Sequence, residues 1–367
     1  MISKKNKYIK HVLALTILAS CSSTSENLII SSIETDSLAY QRDLPDISAY
    51  NAFSVSDFKV IRQKIESKKL SQAELRELKL LEKNFQKILK KNKYQIKLNP
   101  SQKYSKELIE LIYQLNLPIS ISWDQKKSNI IPDDLLSSKV EGFCSSLYED
   151  SISSINKEIS KNPSSTLVIY SDTYASISKK IESVNSIIYA VNYDASNSQE
   201  FAAKVLDINL SERRFKKISN LNPNQAMNFS PRSRSDIKQI ILFLRPQEYK
   251  AMIPALRYHG GNKFKFINFI SSLEGLSNSM QLLDYEDSYT PISALLSKNI
   301  QNEGVISIKD FLKYGVLSDW LLDQVLRQAG VQSATINGAT GTIFYDFNGC
   351  SRREIALQKI SSDLFSS

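Results

Sequence analysis

A chain of 367 residues with 42% hydrophobic and 23% charged residues is long enough to bury one large core or two smaller ones, and its make-up is that of a globular protein. The formal net charge is +9, but much of the excess sits in the first residues, and what remains is too mild to argue for nucleic acid as a partner. No internal repeat of solenoid length is visible, and no stretch beyond the N-terminus is apolar over the ~18–20 residues that a spanning helix needs.

The N-terminus, "MISKKNKYIK", carries Lys4, Lys5, Lys7 and Lys10 ahead of the short apolar run "HVLALTILAS" and Cys21. A basic region, a short apolar core and small residues before a cut site make a secretory signal over residues 1–20. Leu18-Ala19-Ser20-Cys21 resembles the bacterial lipoprotein lipobox. That resemblance implies that the Cys21 thiol receives a diacylglyceryl group, that cleavage falls before it and that the new amino group is acylated. The alternative is a plain secretory signal with a chance cysteine. Several acyl chains hold a protein on a bilayer durably. Ser22 stands where an aspartate would indicate retention at the inner membrane, so lipid anchoring to the outer membrane, on its periplasmic face, is expected. Removing residues 1–20 takes away four of the 47 basic residues and none of the 38 acidic ones, which leaves 43 against 38 and a net +5.

Residues 21–56 are rich in Ser, Asp and Asn and read as a tether, and a helical segment follows over 57–93. Within it "SQAE", Ser71–Glu74, is a capping box, and Leu75, Leu78, Leu81, Phe85 and Ile88 follow as an amphipathic stripe that reads as core packing. The basic run Lys83–Lys97 reads as a solvated helix face, with contact to an anionic surface as the alternative.

From Tyr94 strands and helices alternate. "KELIELIYQLNLPISIS" gives a helix and a strand beginning at Pro118, and "SLYEDSISSINKEIS" is a helix. "STLVIYS" is a strand, followed by a helix that Asp172 can cap. "NSIIYAVNY" and "IKQIILFL" are strands flanking the helix "SNSQEFAAKVLDI". Pro246 sits in the first turn of "PQEYKAMIPALRYHG", which stops at Gly260-Gly261, and "FKFINF" is another strand. "SDWLLDQVLRQAG" is a helix with Ser318 as cap and Gly330 as stop. Strands alternating with helices of this size predict a parallel α/β sheet covered on both faces. At the end, Gly341–Phe347 reads as a strand, Asn348-Gly349 as a tight turn of positive φ, and Arg352–Ile360 as the returning strand. Gly338 and Gly341 permit close backbone approach at the strand's entrance.

Little in the sequence argues for catalysis. Beyond the signal the only histidine is His259, at the end of a predicted helix, where a structural role is expected. Cys144 and Cys350 lie far apart without framework spacing. An oxidising compartment permits a bridge between them, and two unpaired buried thiols are the alternative. One His and two distant Cys make no metal cluster. "GATGT" has neither the Gly-Lys-Ser/Thr of a Walker loop nor the strand-Gly-helix setting of a dinucleotide fingerprint.

The stretch "NGATGTIFYDFNGCSRRE", Asn337–Glu354, resembles the C-terminal signature of the penicillin-binding protein activator lipoproteins (the LppC/LpoA family). The matching residues are Gly338, Ala339, Thr340 and Gly341, then Asp346, Asn348 and Gly349, then Arg352 and Arg353. Arg232–Gly261 resembles the family's Arg-x-x-x-Asp strand and Pro-x-Leu helix, and "LKYGVLSDW", Leu312–Trp320, fits a third segment. The resemblance implies a type I periplasmic-binding-protein-like α/β fold, parallel sheets flanked by helices. The family's opening strand, a run ending in Pro-Leu-Ser-Gly, is missing, so residues 94–162 would form a reduced first lobe, with "LPISIS" as its Leu-Pro strand. Residues 163–367 would form the second lobe with a C-terminal hairpin. It further implies an outer-membrane lipoprotein that stimulates a peptidoglycan synthase, a penicillin-binding protein, by direct contact, with no catalytic residues, cofactor or metal of its own. The signature residues would then be structural. Two other classes stand beside this one: a periplasmic solute-binding protein that closes on a small ligand, and a structural envelope lipoprotein.

Overall fold

The computed structural model describes residues 71–360 apart from 92, 116–117, 126–130, 195–196, 222, 224–226, 277–278 and 294–306, together with 63, 65 and 66. The expected signal, Cys21 and the tether lie outside the described residues. The chain divides into two compact units, each discontinuous in sequence. One comprises the described residues up to Ser145 with Tyr314–Arg353, and the other Ser146–Lys313 with the residues from Glu354 on. The boundary expected between 162 and 163 thus falls inside the second unit.

The first unit opens with helix α1 (Gln72–Lys90). The capping box forms as expected: Glu74 N–H donates to Ser71 Oγ at 3.3 Å and Ser71 N–H to Glu74 Oε2 at 2.8 Å. Of its apolar stripe, Ile88 is buried and Leu75 and Leu78 are half-buried. Strand β1 (Tyr94–Leu98), helix α2 (Ser105–Leu115) and strand β2 (Ile119–Trp123) follow as one parallel βαβ unit.

The second unit begins at α3 (Leu147–Ile159), whose Ser146 and Glu149 form another capping box. Then come β3 (Thr166–Tyr170), α4 (Ala175–Val184), β4 (Tyr189–Asn192), α5 (Ser198–Val205), α6 (Ile208–Leu221), β5 (Gln239–Phe243), α7 (Pro246–Gly260), β6 (Lys265–Asn268) and β7 (Tyr289–Pro291). Strands β3 to β7 are parallel in the order β4-β3-β5-β6-β7. The apolar runs of β3 and β5 are buried almost throughout, as a parallel sheet covered by helices requires. Asp172 does not cap α4, which is entered through a 3-10 turn; its carboxylate instead accepts from Asn192 Nδ2 at 2.7 Å. The two residues follow or end neighbouring parallel strands, which brings their side chains within reach.

Helix α8 (Ile308–Gln328) starts ten residues before the expected cap. Ser307 is the residue that caps it, accepting from Asp310 N–H at 3.1 Å, while Ser318 is buried in the interior of the helix. Gly330, with φ of 67°, ends it as expected. Strands β8 (Ser333–Asn337), β9 (Thr342–Asp346) and β10 (Arg352–Glu354) form a sheet in the order β10-β9-β8, with β8 and β9 antiparallel. The returning strand is therefore split: after Arg353 the chain joins the second unit, where β11 (Leu357–Lys359) pairs antiparallel with β7. The turn also differs from expectation, since neither Asn348 nor Gly349 has a positive φ. Asp346 makes it instead, its Oδ1 accepting from Asn348 N–H at 3.0 Å.

Candidate functional site

The Gly338–Gly341 segment closes over a buried carboxylate. Asp319, on α8, accepts Ala339 N–H at 2.6 Å, Thr340 N–H at 2.9 Å, and the Thr340 hydroxyl. Burial pushes the Asp319 carboxyl up from its ordinary value, opposed by the Arg353 charge and by the Thr340 and Ala339 hydrogen bonds. Gly338 is required by space: a Cβ there would meet Ile343 Cδ1 and lie 2.6 Å from Asp319 Oδ1. These amides are spent on the protein's own carboxylate, so the loop is a fold closure and not a phosphate cradle.

A second buried carboxylate on the same helix fastens the following turn. Asp323 accepts from Arg327 Nε at 2.7 Å and from Ser351 Oγ at 2.6 Å. Burial raises its pKa while Arg327 and Ser351 hold it down. Arg327 donates further to the carbonyls of Phe347 and Gly349, both at 3.1 Å. Next to this network Cys144 and Cys350 form a disulfide, with Cα atoms 5.0 Å apart, which resolves the two readings of the cysteines in favour of a bridge. The Arg353 guanidinium lies 4.6 Å from the centre of the Phe143 ring.

In the second unit the carboxyl edge of the parallel sheet carries aromatic and charged groups side by side. Open α/β sheets place ligands at that edge. Tyr148 and Tyr174 both pack edge-on against Phe269, with ring centres 4.9 and 5.6 Å apart. The Tyr148 hydroxyl donates to Glu274, and Lys309 pairs with the same carboxylate at 3.0 Å. Burial raises the Tyr174 hydroxyl above its ordinary range. Arg245, just past β5, binds Glu248 through Nε at 2.8 Å. Around this edge Ser171 Oγ, Asn268 Oδ1 and Ser272 Oγ are buried and make no hydrogen bond among the described residues. Buried polar atoms of that kind call for a partner, which an ordered water or a small polar group would supply. Sequence reading did not find this edge, because its residues come from five separate segments with no shared spacing.

No family model matches the chain, and no curated relative matches it. Among solved structures, it is similar to an extracellular ligand-binding receptor from Rhodopseudomonas palustris HaA2, with 10% identity over 74% of this chain and 97% of that one and a TM-score of 0.36. It is also similar to an ABC transporter substrate-binding protein from Desulfitobacterium hafniense, solved in complex with Leu. There the identity is 9%, the coverage 74% and 98%, and the TM-score 0.37.

Of the residues singled out in the sequence, Gly338, Ala339 and Thr340 meet Asp319, and Asp346, Asn348 and Gly349 form the turn under Arg327. His259 lies in the last turn of α7 beside Tyr258, ring centres 5.0 Å apart. Among the described residues no three His, Cys, Asp or Glu side chains converge as a metal would need, and no helix is long and apolar enough to cross a membrane.

Proposed function

We propose that this chain is a lipid-anchored periplasmic protein of type I periplasmic-binding-protein-like architecture that regulates peptidoglycan synthesis by binding and activating a penicillin-binding protein. The observation that carries the reading is the meeting of two separately placed family-like segments. Asp319 belongs to Leu312–Trp320, and it is the carboxylate on which the amides of Ala339 and Thr340 close. The two segments work as one structural unit, which is how a shared signature is kept without a catalytic role. Activation by contact needs only that the protein bind the synthase's active conformation more tightly than its resting one, and so shift the population.

The test uses the soluble form without the lipidated cysteine, Ser22–Ser367, added to a purified bifunctional synthase while glycan polymerisation is followed. A rise in rate that saturates with added protein is expected; no binding and no change in rate would overturn the reading. The carboxyl edge of the second unit favours one other reading, a solute-binding protein. In that case a small polar metabolite raises the melting temperature, as linkage requires for a ligand of the native state, and the synthase is unaffected.

A further inference from the structure

Helix α6 has a composition that the fold does not use. It follows directly on α5 through Asp207, whose φ is 59°, and Ile208 is its only buried residue. The inward line, Ser211, Glu212, Phe215 and Ser219, is half-buried, with Phe215 stacked on Phe229 at 4.2 Å. The outward face carries Arg213, Arg214, Lys216 and Lys217, and between and beyond them Ile218 at 52% and Leu221 at 80% exposure. Glu212 is the one acidic residue of the helix. Among the described residues none of these four cations forms an ion pair; Arg213 Nε reaches only the Asn209 carbonyl, at 3.3 Å. Arg232 joins the same surface, its backbone N–H donating to Ser211 Oγ at 3.1 Å.

A solvated helix face balances its charges at i,i+3 and i,i+4 and keeps large aliphatic residues off its outer line. The basic run of α1 shows what an internally used cluster looks like. Its Lys87 Nζ donates to the Gly330 carbonyl and Lys91 Nζ to the Gln328 carbonyl, each at 2.6 Å, so those cations complement the negative end of α8. Among the described residues the cations of α6 have no such task. Unpaired Lys and Arg interleaved with exposed Ile and Leu on one helix are complementary to an anionic bilayer surface, with cations over the headgroups and aliphatic side chains below them.

We propose that α6 is a membrane-surface element whose outward face rests on anionic phospholipid. The inference stands on α6 alone and does not depend on the synthase reading or on acylation at Cys21. The test is co-sedimentation of the unacylated protein, Ser22–Ser367, with phosphatidylcholine vesicles that contain or lack phosphatidylglycerol. Binding is expected only to the anionic vesicles, and it weakens as salt is raised. Arg214→Gln with Lys217→Gln lowers the partition about 25-fold, at roughly fivefold for each cation. Ile218→Ser with Leu221→Ser also lowers it, and both pairs leave the melting temperature unchanged because the sites are exposed. Lys83→Gln with Lys90→Gln, exposed on α1, leaves binding as it was. Failure to bind anionic vesicles, equal binding to both compositions, or binding indifferent to the α6 substitutions would each overturn the assignment; an acidic protein would then be the occupant to seek.

Discussion

Asp319 shows how a motif can be conspicuous in a sequence for reasons of packing. Its two oxygens face two backbone N–H groups and a hydroxyl in a site closed to water, and an unmade hydrogen bond there costs about 1–3 kcal/mol. In Asp319→Asn one oxygen remains to accept, while the amide nitrogen is set against a backbone donor, so a loss of about that size is expected from urea unfolding. The comparison with wild type also depends on pH. Burial raises the native pKa of Asp319 above its unfolded value, so the native state holds this proton more tightly. That contribution is complete below the unfolded pKa and fades as pH rises through the native one. The gap between wild type and variant is therefore widest in acid and narrows toward neutrality. The other carboxylates are common to both proteins and cancel in the difference, so a gap that widened with pH would contradict the assigned shift.

Elements with a local cause were legible, and elements fixed from a distance were not. The Ser71 capping box, the apolar runs of β3 and β5, Pro246 at the start of α7 and Gly330 after α8 each follow from a few adjacent residues. From sequence alone α8 reads as starting at Ser318 only because Ser-Asp before an apolar run imitates a cap. In fact ten residues of helix precede it, and Ser318 faces the interior. Helix α6 carries no such local signal, because Ile218 and Leu221 lie on its outside, against the pattern that marks a packed helix. Strand β8, the five-residue partner of β9, has a weak exposed pattern of its own and is held by its pairing. Tyr249 is the clearest case of a residue whose role only the fold reveals. From α7 its buried hydroxyl donates to the Leu242 carbonyl at 2.5 Å and accepts from Leu244 N–H at 3.3 Å and Phe269 N–H at 3.1 Å. It thereby ties the carboxyl ends of β5 and β6 where the ladder runs out. Tyr249→Phe leaves the buried Leu244 N–H without this partner, while Phe269 N–H keeps its bond to the Leu242 carbonyl at 3.1 Å, and is expected to cost about 1–2 kcal/mol. In urea the midpoint falls at an unchanged slope; a variant as stable as wild type would remove Tyr249 from this role.

The division of the chain could not be read from segments taken one after another, because each unit is assembled from pieces far apart in sequence. The chain passes between units after Ser145, Lys313 and Arg353, and two of those passages lie close to Cys144 and Cys350. Their disulfide encloses a loop spanning 206 positions, which takes in the body of the second unit. In an unfolded chain a closure of that length removes conformational entropy worth about 5 kcal/mol, and strain or residual structure usually reduces the measured gain to about 2–4 kcal/mol. The same two segments are also held without the covalent bond. Cys144 N–H donates to the Ser351 carbonyl at 2.9 Å, Ser351 N–H to the Gly142 carbonyl at 2.7 Å, and Ser351 Oγ to Asp323. Reduction therefore removes a constraint on the unfolded state more than a contact of the native one. Cys144→Ala with Cys350→Ala, or the wild type under reductant, is expected to keep its far-ultraviolet circular dichroism and a cooperative transition while melting at a lower temperature. Reoxidation restores the wild-type value but not that of the double variant. An equal melting temperature with and without reductant, once free thiols have been counted, would show that the bridge adds nothing to the stability of the chain.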